Sequence, residues 1–80
     1  MPPSDSADPD LQVRLLEAGR AEAEARGWPW LDPVEIGLTR ASPGARQWTL
    51  RSNANARGRN VRVVVAEPDF RVVEAGFLPR

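Results

Sequence analysis

Five arginines, Arg46, Arg51, Arg57, Arg59 and Arg62, fall within 17 residues that contain no acid, in a chain whose 11 basic and 11 acidic residues cancel. Guanidinium groups at this density carry the chemistry of phosphate recognition, because each is permanently charged and presents a planar fork of donors. In a hairpin spanning 51–62, Arg51 and Arg62 would stand together on the outer face while Arg57 and Arg59 occupied the tip. Asn53, Asn55 and Asn60 would add hydrogen-bonding groups, and Gly58 the positive φ or flexibility that a tip demands. That arrangement suits a nucleic-acid backbone. Against it, the net charge is zero, no aromatic residue is interleaved within 51–62 for base stacking, and no recognition motif is present. The competing reading is a solvated loop.

Other chemistries find few residues to work with. The chain has no cysteine and no histidine, so disulfides, thiolate or imidazole metal ligands and the usual nucleophile–base pairs are excluded. Ser42 and Ser52 lie in turn-like sequence, Glu35 projects from a strand face, and Glu67 and Asp69 flank Pro68 in an expected turn where carboxylates are ordinarily solvated. Neither catalysis nor a metal or other cofactor is expected. The segment "GWPWL" raises a different possibility. Trp28 and Trp30 cannot both be guaranteed a place in a core this small, and an exposed indole is a common anchor for a protein partner. Otherwise Trp28 closes the helix end of the core and Trp30 covers its rim. Phe77 and Leu78, which end the last apolar run, complete the candidate protein-binding set.

The elements that would position these residues follow from spacing. Residues 1–8 read as a loose tail. Asp8 before Pro9 fits an N-cap followed by proline in the first turn, and alanine, leucine, glutamate and arginine continue a helix over about 9–26. Its expected buried stripe is Leu11, Leu15, Ala18, Ala21 or Glu22, and Ala25, widened by Leu16. The small residues Ala18, Gly19, Ala21 and Ala25 would let it lie close to a sheet. Gly27 then closes the helix and Pro29 prevents its continuation.

Beyond the connector the period changes to two. Strands are expected at about 34–40, 46–52, 60–66 and 70–77, with Val34, Ile36, Leu38, Trp48, Leu50, Val61, Val63 and Val65 facing inward. "ASPGA" and "EPD" read as turns. The last strand is ambiguous: Phe70 and Val72 alternate out of phase with Val73, Ala75 and Phe77, and Gly76 is a candidate bulge. The fold class is α+β, with one N-terminal helix packed across a four-stranded antiparallel β-meander as a single domain over 9–80.

The alanines Ala21 and Ala25 in the helix, Trp48 at the centre of the second strand, "VRVVVAEPD" over 61–69, and Val72 and Val73 after it resemble PepSY-type and cystatin-like small domains. The resemblance covers roughly residues 10–78 and rests on order and hydrophobicity. It implies a binding or regulatory module. This chain departs from the PepSY pattern where Asp69 directly precedes Phe70 without an intervening glycine.

The first 40 residues hold four arginines and eight acids, the last 40 seven arginines and three acids. The chain is therefore polarised in sequence. "MPPSDSADPD" lacks the basic-then-apolar order of a signal peptide, and no apolar run approaches the roughly 18 residues that span a bilayer. A cytoplasmic, membrane-free protein is expected. Its function would be binding a protein or peptide, with homodimerisation through an edge strand as one route and nucleic-acid binding through the arginine hairpin as the alternative.

Overall fold

The computed structural model describes residues 8–42, 45–67 and 69–78. The expected tail over 1–7 and the turn residues Pro43, Gly44 and Pro68 lie outside the described residues. Helix α1 spans Pro9–Arg26 and is followed by strands β1 (Glu35–Ser42), β2 (Ala45–Arg51), β3 (Asn60–Glu67) and β4 (Arg71–Leu78). The four strands form one antiparallel sheet in the order β1-β2-β3-β4, so the chain is an α+β meander with β1 and β4 at its edges.

Both helix ends are built from local chemistry. The Asp8 carboxylate accepts from the Leu11 backbone N–H at 2.8 Å, which satisfies one of the donors a helix start leaves free, and Asp10 adds negative charge to the first turn. Gly27 closes the helix at φ 74, and the next two amides return to it, Gly27 N–H to Glu24 O and Trp28 N–H to Ala23 O. Glycine is needed there because an L side chain is strained in the left-handed region.

The helix lies across β2, β3 and β4. Its buried line is Leu15, Gly19 and Ala23, flanked by the half-buried Leu11, Leu16 and Ala18. The stripe follows the expected one through Leu11, Leu15, Ala18 and Glu22, with Ala21 exposed, and departs from it at the last turn, where Ala25 is exposed and Ala23 is buried instead. Gly19 lies on the buried line. A Cβ placed there would come within 2.8 Å of Trp30 Cη2 and 3.3 Å of Leu50 Cδ2. The glycine is a socket for an indole from the connector.

Against the helix stand Trp48, Leu50, Val61, Val63 and Val65, all fully buried; β2 keeps the expected alternation, whereas in β3 Val64 and Ala66 on the opposite face are buried as well. Trp48 pairs with Val65 and Leu50 with Val63 across the central ladder. Two irregularities shape the edges. In β1 the register shifts between Leu38 and Arg40, and in β4 it shifts where Val64 pairs with Glu74 but Val65 with Val72. The extra residue in β4 is therefore Val73, not Gly76. One inserted residue changes the facing parity, so Val72 before it and Ala75 and Phe77 after it all pack against the core. Phe70 precedes β4 at φ 56, a left-handed conformation that keeps it out of the strand, yet its ring still packs on the core.

The Gly19 socket yields a direct test. Gly19→Leu should overfill it, lowering stability by about 1–3 kcal/mol, whereas Ala21→Leu on the exposed side should stay within about 0.5 kcal/mol of the parent. Chemical denaturation of the two variants would show the contrast, and equal effects would contradict the packing described.

Candidate functional site

The arginine-rich stretch turns out to be a folded loop whose interior is polar. Asn60, only 3% exposed, directs its carboxamide into the loop. Its Nδ2 donates to the carbonyls of Ser52 and Asn53 at 2.9 Å and of Ala56 at 3.3 Å, while its Oδ1 accepts from Gly58 N–H at 2.8 Å. Fully buried Ser52 accepts from Val61 N–H through Oγ and donates its own amide to Val61 O, both at 2.9 Å. Asn53 Nδ2 donates to Gly58 O at 3.1 Å. Three residues take positive φ, Asn53 at 53, Gly58 at 96 and Arg59 at 55. Asn53 and Asn60 were expected to offer hydrogen bonds outward. They are spent inward, because the loop's own buried carbonyls and amides must be satisfied before any ligand's.

The loop also holds the connector. Asn53 N–H donates to Leu31 O at 2.7 Å and Ala54 N–H to Pro33 O at 2.9 Å. These two bonds fix the backbone on either side of Asp32, immediately after Trp30. A chain of contacts therefore runs from Asn60 through the loop and connector to the indole on Gly19.

The five arginines do not form one patch. Arg46 lies on the helix side, where its guanidinium bridges to Glu67 (Nε to Oε2 2.8 Å, an NH2 donor to Oε1 3.0 Å) and sits 5.3 Å from the Trp48 ring centroid. Trp48 Nε1–H donates to the same carboxylate at 2.6 Å. Glu67, expected to be solvated in a turn, instead ends β3 and satisfies the one polar atom of the largest core side chain. Arg51 and Arg62 do pair across β2 and β3, but each faces an acid from the neighbouring strand: Arg51 is 3.8 Å from Glu35, and Arg62 bonds to Glu74. Arg51 also donates to Ala54 O at 3.0 Å. Arg57 and Arg59 are exposed at the tip, without an ion pair among the described residues.

The tryptophans sit at the core's margins. Trp28 stacks on Phe77 with ring centroids 5.9 Å apart, and the Arg26 guanidinium covers the Trp28 ring at 5.1 Å. Leu78, beside Phe77 at the end of edge strand β4, is 60% exposed. Trp28, Trp30 and Phe77 are all half-buried against the core, so their apolar faces already serve folding.

Sequence reasoning missed the hollow beside Trp30. The helix footprint covers β2 to β4, and on the β1 side a cleft of about 360 Å³ opens between α1 and the connector. Its apolar lining is Val13, Leu16, Trp30 and Val34, and its charged rim is Glu17, Arg20 and Asp32. Val13 is 55% exposed, unusual for a valine with the other apolar lining residues half-buried around it. The available signal was the pair Val13 and Leu16 on the helix flank that the Leu11–Leu15 stripe does not use.

A group of three or more histidine, cysteine, aspartate or glutamate side chains placed to hold a metal is absent among the described residues. None of the described helices is long and apolar enough to cross a membrane.

If Asn60 organises the loop, Asn60→Ala should destabilise the protein by about 2–4 kcal/mol, since several buried groups lose their partner together. Asn60→Asp, the same shape but unable to donate when ionised, should cost at least as much, and Arg57→Ala at the exposed tip should change stability by less than about 0.5 kcal/mol. Urea denaturation measures all three, and a near-neutral Asn60→Ala would contradict the assignment. Comparison of the chain with protein-family models, curated proteins and solved structures returns no significant match.

Proposed function

We propose that the protein is a small non-enzymatic interaction module that binds a peptide or protein segment in the cleft between α1 and the start of β1. The observation that carries this reading is the helix's offset. The helix lies across β2, β3 and β4 and leaves, on the β1 side, a hollow walled by Trp30 and lined by apolar and charged side chains alike. A cleft of this size with apolar walls and a few polar rim groups is the ordinary form of a recognition site.

The polar chemistry of the chain supports binding over catalysis. Glu22, Glu35, Glu67 and Glu74 are each engaged by an arginine, and no nucleophile–base pair faces the cleft. The likeness in element order to PepSY-type and cystatin-like domains, on which the comparisons are silent, implies a binding or regulatory role as well. For the arginine loop, three of the five guanidinium groups are held by acids and two of the three asparagines by the backbone, which leaves Arg57 and Arg59 for a phosphate backbone. Peptide binding is therefore the better supported function.

The test is selection of a displayed random-peptide library on the immobilised full chain, with the Val13→Asp variant in parallel. Val13 is exposed on a helix flank, so the substitution should leave folding intact, as circular dichroism would verify. Peptides that bind the parent and lose at least about tenfold in affinity on the variant are expected. Enrichment indifferent to Val13, or no enrichment, would overturn the reading.

A further inference from the structure

The cleft adjoins a free strand edge. Val34, which lines it, is followed directly by Glu35, the first residue of β1, and among the described residues no strand pairs with the outer side of β1. A sheet edge exposes unpaired backbone donors and acceptors, the template for adding a further strand. The stretch Glu35–Leu38 keeps regular register with β2, and the shift between Leu38 and Arg40 ends it. A strand laid along this edge gains about four residues of ladder. Its inward side chains would run beside Val34 and Ile36, toward the hollow under the helix flank.

Charge selects what that strand should carry. Arg26, Arg46 and Arg62 pair with acids elsewhere on the molecule. Neither Glu17 nor Asp32 on the cleft rim has an ion-pair partner among the described residues, and a single guanidinium, Arg20, stands with them. Glu35, at the head of the edge, lies 3.8 Å from Arg51 and is 69% exposed in its side chain. Glu35 thus faces away from the hollow with Arg51, and the rim offers two unpaired carboxylates, Glu17 and Asp32, against one guanidinium.

We infer that the ligand is an extended peptide segment that adds as a fifth strand to β1, places an aliphatic side chain in the cleft against Val13, Leu16 and Trp30, and carries basic residues opposite Glu17 and Asp32. This rests on the cleft being the binding site. Backbone pairing supplies affinity, the hollow selects the aliphatic anchor, and the unpaired carboxylates reject acidic segments and speed the approach of basic ones.

The probe is a synthetic blocked hexapeptide alternating arginine with valine or leucine, compared by amide NMR titration of the full chain with the same peptide bearing glutamate for arginine and with one N-methylated at alternate residues. At low salt the arginine peptide should bind at least about tenfold tighter than either control, shift the amides of Glu35–Leu38, and lose its advantage as salt rises. Glu17→Arg combined with Asp32→Arg should reverse the preference between the charged peptides. Equal binding of the glutamate peptide, or undiminished binding of the N-methylated one, would overturn the inference. So would a dimer of the chain alone that dissociates on Val13→Asp, since the cleft's occupant would then be a second copy. If these peptides fail while library peptides still depend on Val13, strand addition by basic segments is wrong and the cleft reading stands. If no peptide depends on Val13, both fall.

Discussion

The carboxamide of Asn60 is the constraint on which the rest of the molecule hangs. A loop of eight residues between β2 and β3 brings backbone groups into a region where Ser52, Gly58 and Asn60 are all buried. Buried amides and carbonyls must find partners, and an amide side chain is suited to this because it donates and accepts from one rigid plane. Asn60 serves the carbonyls of Ser52, Asn53 and Ala56 and the amide of Gly58. An aspartate could not donate, and a leucine could do neither. Once the loop is closed in this way, the amides of Asn53 and Ala54 point at Leu31 and Pro33 and hold the connector. Trp30 then has a fixed origin, and its indole fills the space left by Gly19 on the helix that lies across β2 to β4.

Surface chemistry follows from that arrangement. The helix cannot also cover β1, so the inner side of this edge ends in a hollow. The guanidinium groups of β2 and β3 are drawn to acids on adjacent strands, Arg51 to Glu35 and Arg62 to Glu74. Such exposed pairs contribute little stability, typically under about 1 kcal/mol each, but they discharge the region that looks most basic in the sequence. The pairing of Arg46 with Glu67 differs in kind, because the same carboxylate takes the buried indole N–H of Trp48. Among the described residues, Arg57 and Arg59 at the loop tip and Glu17 and Asp32 on the cleft rim stay without an ion pair.

Much of the fold could be read from the residues alone. The capping signal of Asp8 and Pro9, the closing Gly27 and the alternation of β2 each encode their outcome locally, since every one depends on a residue and its near neighbours. The failures share a cause: long-range contact. The helix stripe ends on Ala23 and not Ala25, and Gly19, which counts for nothing in an apolar pattern, is buried where it receives Trp30. The parity change in β4 belongs to Val73, a residue of high strand propensity, while glycine was the expected marker. Alternation assigns Asn60 to the solvent side, and only the returning loop buries it. The cleft was invisible for the same reason, as its walls come from a helix flank and a connector whose meeting no local pattern records.

The central claim is that residues 52–59 form a rigid loop that pins the connector, and amide hydrogen exchange read residue by residue addresses it most directly. The amides of Ser52, Asn53, Ala54 and Gly58 should be protected together with those of β3, because each donates to a partner within the protein. Exchange of Asn53 and Ala54 at the rate of an unstructured chain, with β3 still protected, would mean a mobile loop and an unpinned connector, and would contradict the account.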